Sequence, residues 1–153
     1  MKKGGFTLIE LIIVIAILGI SASIAIPGFS RWLPRYRLKS AASGLYSDLQ
    51  LARLEAIKRN ATCSITYSTG PDQYTFSPIN KTVVLADYGS GVKFDDPTHT
   101  KTFATATITF NSRGLSNAGY AYLSNNNNSA YYRVGPLSSG VILMRRWNGS
   151  DWE

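Results

Sequence analysis

The chain is written in three hydrophobic patterns, one after another. Residues 11–27, LIIVIAILGISASIAIP, are apolar or small and carry no charge. A run of that kind predicts a helix that crosses a bilayer. From Phe6 to Ile26 there are 21 residues, ~31 Å of helix at 1.5 Å per residue, about one hydrocarbon thickness. Residues 38–60 follow a different rule. Leu38, Ala41, Ala42, Leu45, Leu49, Ala52 and Ala56 fall within an arc of roughly 100° at helical spacing, so an amphipathic helix is predicted with that stripe against a sheet. Leu51 and Leu54 lie on its other face, as contacts to neighbouring subunits or as tolerated surface leucines. Glu55 and Arg59 form an i,i+4 pair in the favourable order. Asn60 suits the helix end, because it tolerates the left-handed conformation.

After Asn60 the period changes to alternation. Strands are predicted at 62–68, 73–78, 82–88, 105–111, 119–124, 130–135 and 140–147, rich in Val, Ile, Thr, Tyr and Phe and separated by Gly, Pro, Asn and Asp. Short strands with short connections imply an antiparallel sheet or two small sheets. A helix followed by strands makes the class α+β. Between the two helical patterns stand Pro27, Gly28 and Pro34. Proline removes a helical hydrogen bond and clashes with the preceding turn, so a kink at Pro27 or a melted stretch near 27–34 is expected. Arg31, Trp32, Arg35, Tyr36 and Arg37 follow. Aromatics mixed with cations also suit nucleic acid, but beside a span they fit an interfacial anchor better.

Charge refines this division. The net charge is +7. Residues 31–60 hold seven basic residues against Asp48 and Glu55, while residues 61–153 hold seven basic against six acidic. The surplus therefore sits beside the span, where it favours anionic headgroups over a nucleic-acid-reading head. Cys63 is the only cysteine, so no intramolecular disulfide forms, and its place in an alternating segment reads as a small buried hydrophobe.

The start, MKKGGFTLIELIIVIAILGISASIAIPGF, allows three readings: a secretory signal peptide, a plain anchor, or a leader cut after Gly5 that leaves the apolar helix on the mature chain. Glu10 separates them. A carboxylate inside an apolar run costs about 2.5–3.5 kcal/mol at a helix centre on insertion scales. A signal peptide or an isolated anchor gains nothing in return. A new amino terminus at Phe6 supplies a cation at similar depth, within one chain or from a neighbour.

Lys3-Gly4-Gly5-Phe6-Thr7-Leu8-Ile9-Glu10-Leu11 resembles the leader of type IV prepilins and type II secretion pseudopilins, with Gly before the cut, Phe after it and Glu at the fifth mature position. Pro27 falls where many members have a helix-bending proline. The resemblance implies cleavage between Gly5 and Phe6 by a prepilin peptidase, N-methylation of Phe6, and assembly through Glu10. It implies as partners other pilin or pseudopilin subunits, an inner-membrane assembly platform and the lipid bilayer. It divides the chain into a leader (1–5), a transmembrane helix (6–29), an amphipathic helix (30–60) and a β-rich head (61–153), with the head outside the cytoplasm.

A second resemblance covers the head. Leu49, Ala52, Arg53, Glu55, Ala56, Ile57, Arg59 and Asn60, and later Ile108–Gly114 (ITFNSRG), are similar to the pseudopilin H and minor pilin T family. That implies a pilin-like fold and a minor subunit near a filament tip. DNA-binding minor pilins of this group carry Gly-Arg-x-Arg near the carboxyl end. Here Gly140 is followed by Val141, Ile142 and Leu143, and Arg145 and Arg146 come later. Adjacent arginines on a strand point to opposite faces. Arg133, Arg145 and Arg146 remain as candidate nucleic-acid contacts, with DNA the alternative partner.

No catalytic constellation emerges, so an enzyme is not expected, and neither is a cofactor or metal. His99 is the only histidine. It stands in Asp95-Asp96-Pro97-Thr98-His99, which reads as a solvated turn. No glycine-rich phosphate loop or nucleophile elbow is present.

Overall fold

The structure is a computed structural model that describes residues 7–100 and 102–153, without the side chains of residues 25–27 and 31. The chain divides into two units at Leu33/Pro34. One helix, α1 (Leu8–Arg59), enters the second unit from the first. Its backbone stays helical through residues 27–34. The melted stretch expected there does not form.

In the first unit the described side chains from Thr7 to Ile24 are all exposed, and α1 there is long and apolar enough to cross a membrane. In the second unit the stripe predicted from periodicity is the buried one. Leu38, Ala41, Ala42, Leu45, Leu49, Ala52 and Ala56 are all fully buried in the core. Burying each leucine contributes about 1.5–3 kcal/mol over leaving it in water. The helix ends at Asn60, which takes φ +49°. Asn60 N–H donates to the Ile57 carbonyl (3.2 Å) and Ala61 N–H to that of Ala56 (3.1 Å), the paired bonds of a Schellman motif.

The strands are β1 (Cys63–Thr69), β2 (Asp72–Ser77), β3 (Lys81–Val84), β4 (Lys93–Phe94), β5 (Thr107–Phe110), β6 (Ala121–Ser124), β7 (Tyr131–Pro136) and β8 (Ile142–Arg146). They form two four-stranded sheets, ordered β3-β2-β1-β5 and β4-β6-β7-β8, with every named pairing antiparallel. Cys63 lies buried at the start of β1, and burial pushes its thiol up.

The strand predicted over 82–88 is a correction. β3 stops at Val84, and Leu85–Tyr88 form a turn of 3-10 helix. Leu85 is buried and Tyr88 packs on the same core. Residues three apart point to opposite faces of a strand but to the same side of a 3-10 helix. Tyr88 also reaches α1 at Gly44, where an added Cβ would overlap its hydroxyl. The two-residue β4 was too short to show alternation and is absent from the predicted set.

One buried carboxylate ties α1 to the first sheet. Asp48 accepts a hydrogen bond from the Tyr74 hydroxyl at 2.7 Å and from Lys81 Nζ at 2.7 and 2.8 Å. Burial, and after it Asp48, holds the Tyr74 hydroxyl far above its usual range. The outer edge of β5 is closed by a side chain. Asn117 Oδ1 accepts the Thr109 N–H at 2.7 Å, and its Nδ2 donates to the Thr107 carbonyl at 2.8 Å. This satisfies an edge that would otherwise offer unpaired groups.

Candidate functional site

The helix start carries the first candidate residues. Gly5 and Phe6 lie outside the described residues. Thr7 Oγ1 accepts the Glu10 N–H at 3.3 Å, and the Thr7 carbonyl accepts the Leu11 N–H at 3.2 Å. Thr7 is therefore the N-cap, and Glu10 stands three residues on, the spacing of a capping box. The Thr-x-x-Glu sequence is the local signal for this cap. Glu10 is exposed, and its carboxylate sits in the first helical turn, where the helix dipole favours an anion. Among the described residues it makes no ion pair.

Further along, an added Cβ at Gly19 or Gly28 would meet nothing within 4 Å. Among the described residues nothing fills their space. Ser23 Oγ donates to the Ile20 carbonyl at 2.7 Å, so its hydroxyl is satisfied within the helix. The Pro27 side chain lies outside the described residues. Phe29 and Trp32 are exposed with ring centroids 6.0 Å apart.

The three candidate arginines sit on or beside the second sheet. Arg133 of β7 and Arg145 of β8 are register partners and share a face. Arg146 pairs with Tyr132 and takes the opposite face. Arg133 is not free to meet a ligand. Its guanidinium lies 4.8 Å from the Tyr120 ring centroid and 5.0 Å from that of Trp152, a cation–π sandwich. Its Nε is buried without a hydrogen-bond partner among the described residues. Arg145 Nη1 donates to the Trp152 carbonyl at 3.1 Å.

The tail brings Trp152 there. Arg146 N–H donates to the Glu153 carbonyl at 2.7 Å, and Glu153 N–H donates back at 2.9 Å. The Trp152 ring stands 5.3 Å from Trp147 and 5.7 Å from Tyr122. Sequence order gave no sign of this clamp, because Tyr120, Arg133 and Trp152 belong to three separate segments.

The acidic loop differs from the solvated turn predicted for it. Asp95 and Asp96 are buried. Asp95 Oδ2 lies 3.2 Å from Lys93 Nζ and 2.6 Å from His99 Nδ1. Asp96 accepts from the Thr98 hydroxyl at 2.7 Å and the Thr100 N–H at 2.9 Å. Buried carboxylates need such partners, and here β4 and the loop supply Lys93, Thr98, His99 and Thr100 among them. Among the described residues no three His, Cys, Asp or Glu side chains converge to hold a metal.

Comparison with known proteins matches this anatomy at both ends. The model of the prokaryotic N-terminal methylation motif matches residues 1–26. The pilin-like protein PilA1 of Thermus thermophilus is 44% identical over 61 residues, which is 40% of this chain and 38% of that relative. The chain thus spans less than half the length of that relative. Among solved structures, the minor pseudopilin EpsH from the type 2 secretion system of Vibrio cholerae matches with a TM-score of 0.57. It is 15% identical, over 71% of this chain and 95% of that one. The type IV minor pilin FimU of Pseudomonas aeruginosa matches with a TM-score of 0.54 at 17% identity, over 80% of this chain and 96% of that one. At those identities the likeness shows the fold, which is pilin-like α+β. The model of the Type II transport protein GspH matches residues 41–140, most of the head together with the buried half of α1, and the chain belongs to that family.

Proposed function

We propose that this chain is a minor pilin or pseudopilin subunit of a type II secretion pseudopilus or a type IV pilus, held in the inner membrane by α1 with its head in the periplasm. A prepilin peptidase cuts between Gly5 and Phe6, and Phe6 is N-methylated. An inner-membrane platform then lifts the helix into a filament, where the subunit sits near the tip. A bend at Pro27 adjusts the helix to that bundle. The observation that carries this reading is the exposure of every described side chain from Thr7 to Ile24. A helix so apolar, with no covering surface among the described residues, is satisfied by lipid first and by other helices later. Glu10 supports the second step, since a carboxylate in a lipid-facing helix is useful once a cation such as a Phe6 amine meets it.

Replacing Glu10 by Val tests the reading. Membrane insertion is expected to be unchanged, and incorporation into sheared filaments to fall by about tenfold or more, as for loss of one desolvated charge pair worth over about 1.4 kcal/mol. Filament incorporation at the parent level overturns the charge-pairing step.

The shared face of Arg133 and Arg145, interleaved with Tyr120, Tyr122 and Trp152, favours a second reading as a DNA-binding minor pilin, since single strands stack on such surfaces. Against it, the clamp already occupies Arg133. A mobility-shift titration of the full chain in detergent decides, because affinity for DNA must fall steeply as salt rises.

A further inference from the structure

The head leaves a group of large apolar side chains in water at one place. Leu54, Ile57, Leu115, Leu137 and Val141 are each 40–60% exposed. They come from three segments that meet. Arg53 Nε donates to the Gly114 carbonyl at 3.1 Å. A Cβ on Gly114 would lie 2.8 Å from Ile57 Cδ1, and one on Gly140 would overlap the Gly114 carbonyl oxygen. Ser116 N–H donates to the Ser138 carbonyl at 3.3 Å, and Leu137 N–H to that of Val141 at 2.8 Å. Gly114 and Gly140 take φ of +75° and +78°, where a side chain is strained. Two glycine turns are therefore seated against α1, and the residue after each glycine, Leu115 or Val141, stays exposed. A monomer gains nothing from apolar side chains held on such well-anchored turns, and a gathered patch of this kind marks an interaction surface.

The charges around it indicate what fits. Lys58, one turn on from Leu54, and Arg113, next to Gly114, are exposed, and Arg53 lies at the centre of the patch. The acid of this part of α1, Glu55, lies on the helix's other flank, 2.7 Å from Arg59. Patch-to-patch pairing of two copies would set these cations against their own equivalents, an arrangement that like-charge repulsion disfavours strongly at a desolvated interface. The chain as a whole is also cationic, at +7. We propose that this patch docks a different pilin-like subunit, one that presents an apolar face rimmed by carboxylates. The proposal rests on the filament reading above and names the kind of neighbour the head takes.

Site-directed photocrosslinking tests it. The full chain carries benzoylphenylalanine in place of Val141, or of Asn126 as a distant exposed control. It is expressed in membranes together with the other pilin-like subunits encoded by the same genome. Position 141 is expected to label one of those subunits, and position 126 is not. With Leu54→Glu the labelling falls by about tenfold, as for loss of an apolar anchor at an interface centre. With Arg113→Glu it falls by about threefold, and it weakens as salt rises. Leu54 is exposed, so unchanged melting of Leu54→Glu confirms that the fold is kept. If position 141 labels only lipid, only second copies or nothing, while the chain still enters filaments in a Glu10-dependent way, the docking proposal fails and the filament reading stands. Labelling of a pilin-like partner without filament entry has the opposite meaning.

Discussion

The two halves of α1 use the same residue types to opposite ends. Before Pro27 apolar side chains surround the helix and Leu18 is 61% exposed; after Pro34 Leu38, Leu45 and Leu49 fall on one stripe and are fully buried, while Leu51 and Leu54 stay exposed on the other face. The difference is periodicity, not content. A helix with one apolar face can be satisfied by its own chain, whereas a uniformly apolar helix cannot, because the head covers only one side of any helix. The same contrast separates two carboxylates. Asp48 is buried and meets Lys81 and Tyr74 within the chain, while Glu10 is exposed and has no ion pair among the described residues.

The sharpest way to break the comparison is to make one substitution in both halves. Leu45→Ala removes a fully buried side chain from the head core and is expected to cost about 3 kcal/mol of unfolding free energy. Leu18→Ala touches nothing the head uses and is expected to leave that free energy within about 0.5 kcal/mol of the parent. Urea unfolding of the full chain in detergent, followed by head tyrosine and tryptophan fluorescence, measures both. Equal losses for the two would mean that the apolar half supports the head, which contradicts the division into units.

The two carboxylates sharpen the comparison next. Asp48→Ala strips the partner from a buried Tyr74 hydroxyl and from Lys81, and about 2–3 kcal/mol of head stability should be lost. The loss stays below the about 3–5 kcal/mol usual for broken buried pairs because the Lys81 side chain is 47% exposed and keeps some water. Glu10→Val should leave the same unfolding curve unmoved. A destabilised head in the Glu10 variant would tie Glu10 to folding and remove it as an assembly residue.

Legibility in the sequence followed the range of the interactions. The buried stripe of α1 was readable residue by residue, because a helix repeats its environment every few positions. Asn60 was readable for the same reason, since a helix end is settled within a turn. The predicted strands lie within about two residues of the observed ends, apart from 82–88, where two core-facing residues three apart demanded a 3-10 turn. The Tyr120–Arg133–Trp152 clamp, the Asn117 bridge on β5 and the Arg53–Gly114–Gly140 junction were not readable. Each joins segments apart in the chain, and no local pattern encodes which arginine meets which ring. Of the leader residues, Gly5 and Phe6 rest on the motif alone, while Glu10 gained a structural neighbour in Thr7.

The smallest effect concerns a third carboxylate, intermediate between Glu10 and Asp48. Glu55 is paired, as Asp48 is, but its own side chain is only partly covered and its partner Arg59 is half exposed. Its bond to Arg59, at 2.7 Å, holds its carboxyl below the ordinary 4.5, against the opposing effect of burial. A group with a lowered folded-state pKa contributes stability above its unfolded value and loses it as pH falls through the folded value. The contribution of Glu55 should therefore be complete at neutral pH and fade below about pH 4.5. Glu55→Gln should flatten that part of the stability profile without moving the neutral plateau much. Because the Arg59 side chain is half exposed, raising salt should shrink the difference between parent and variant. Urea midpoints from about pH 3 to about pH 7 at low and high salt check this. A salt-insensitive difference would place Glu55 with Asp48 as a buried tie, and the ordering from exposed Glu10 through partly covered Glu55 to buried Asp48 would then lose its middle member.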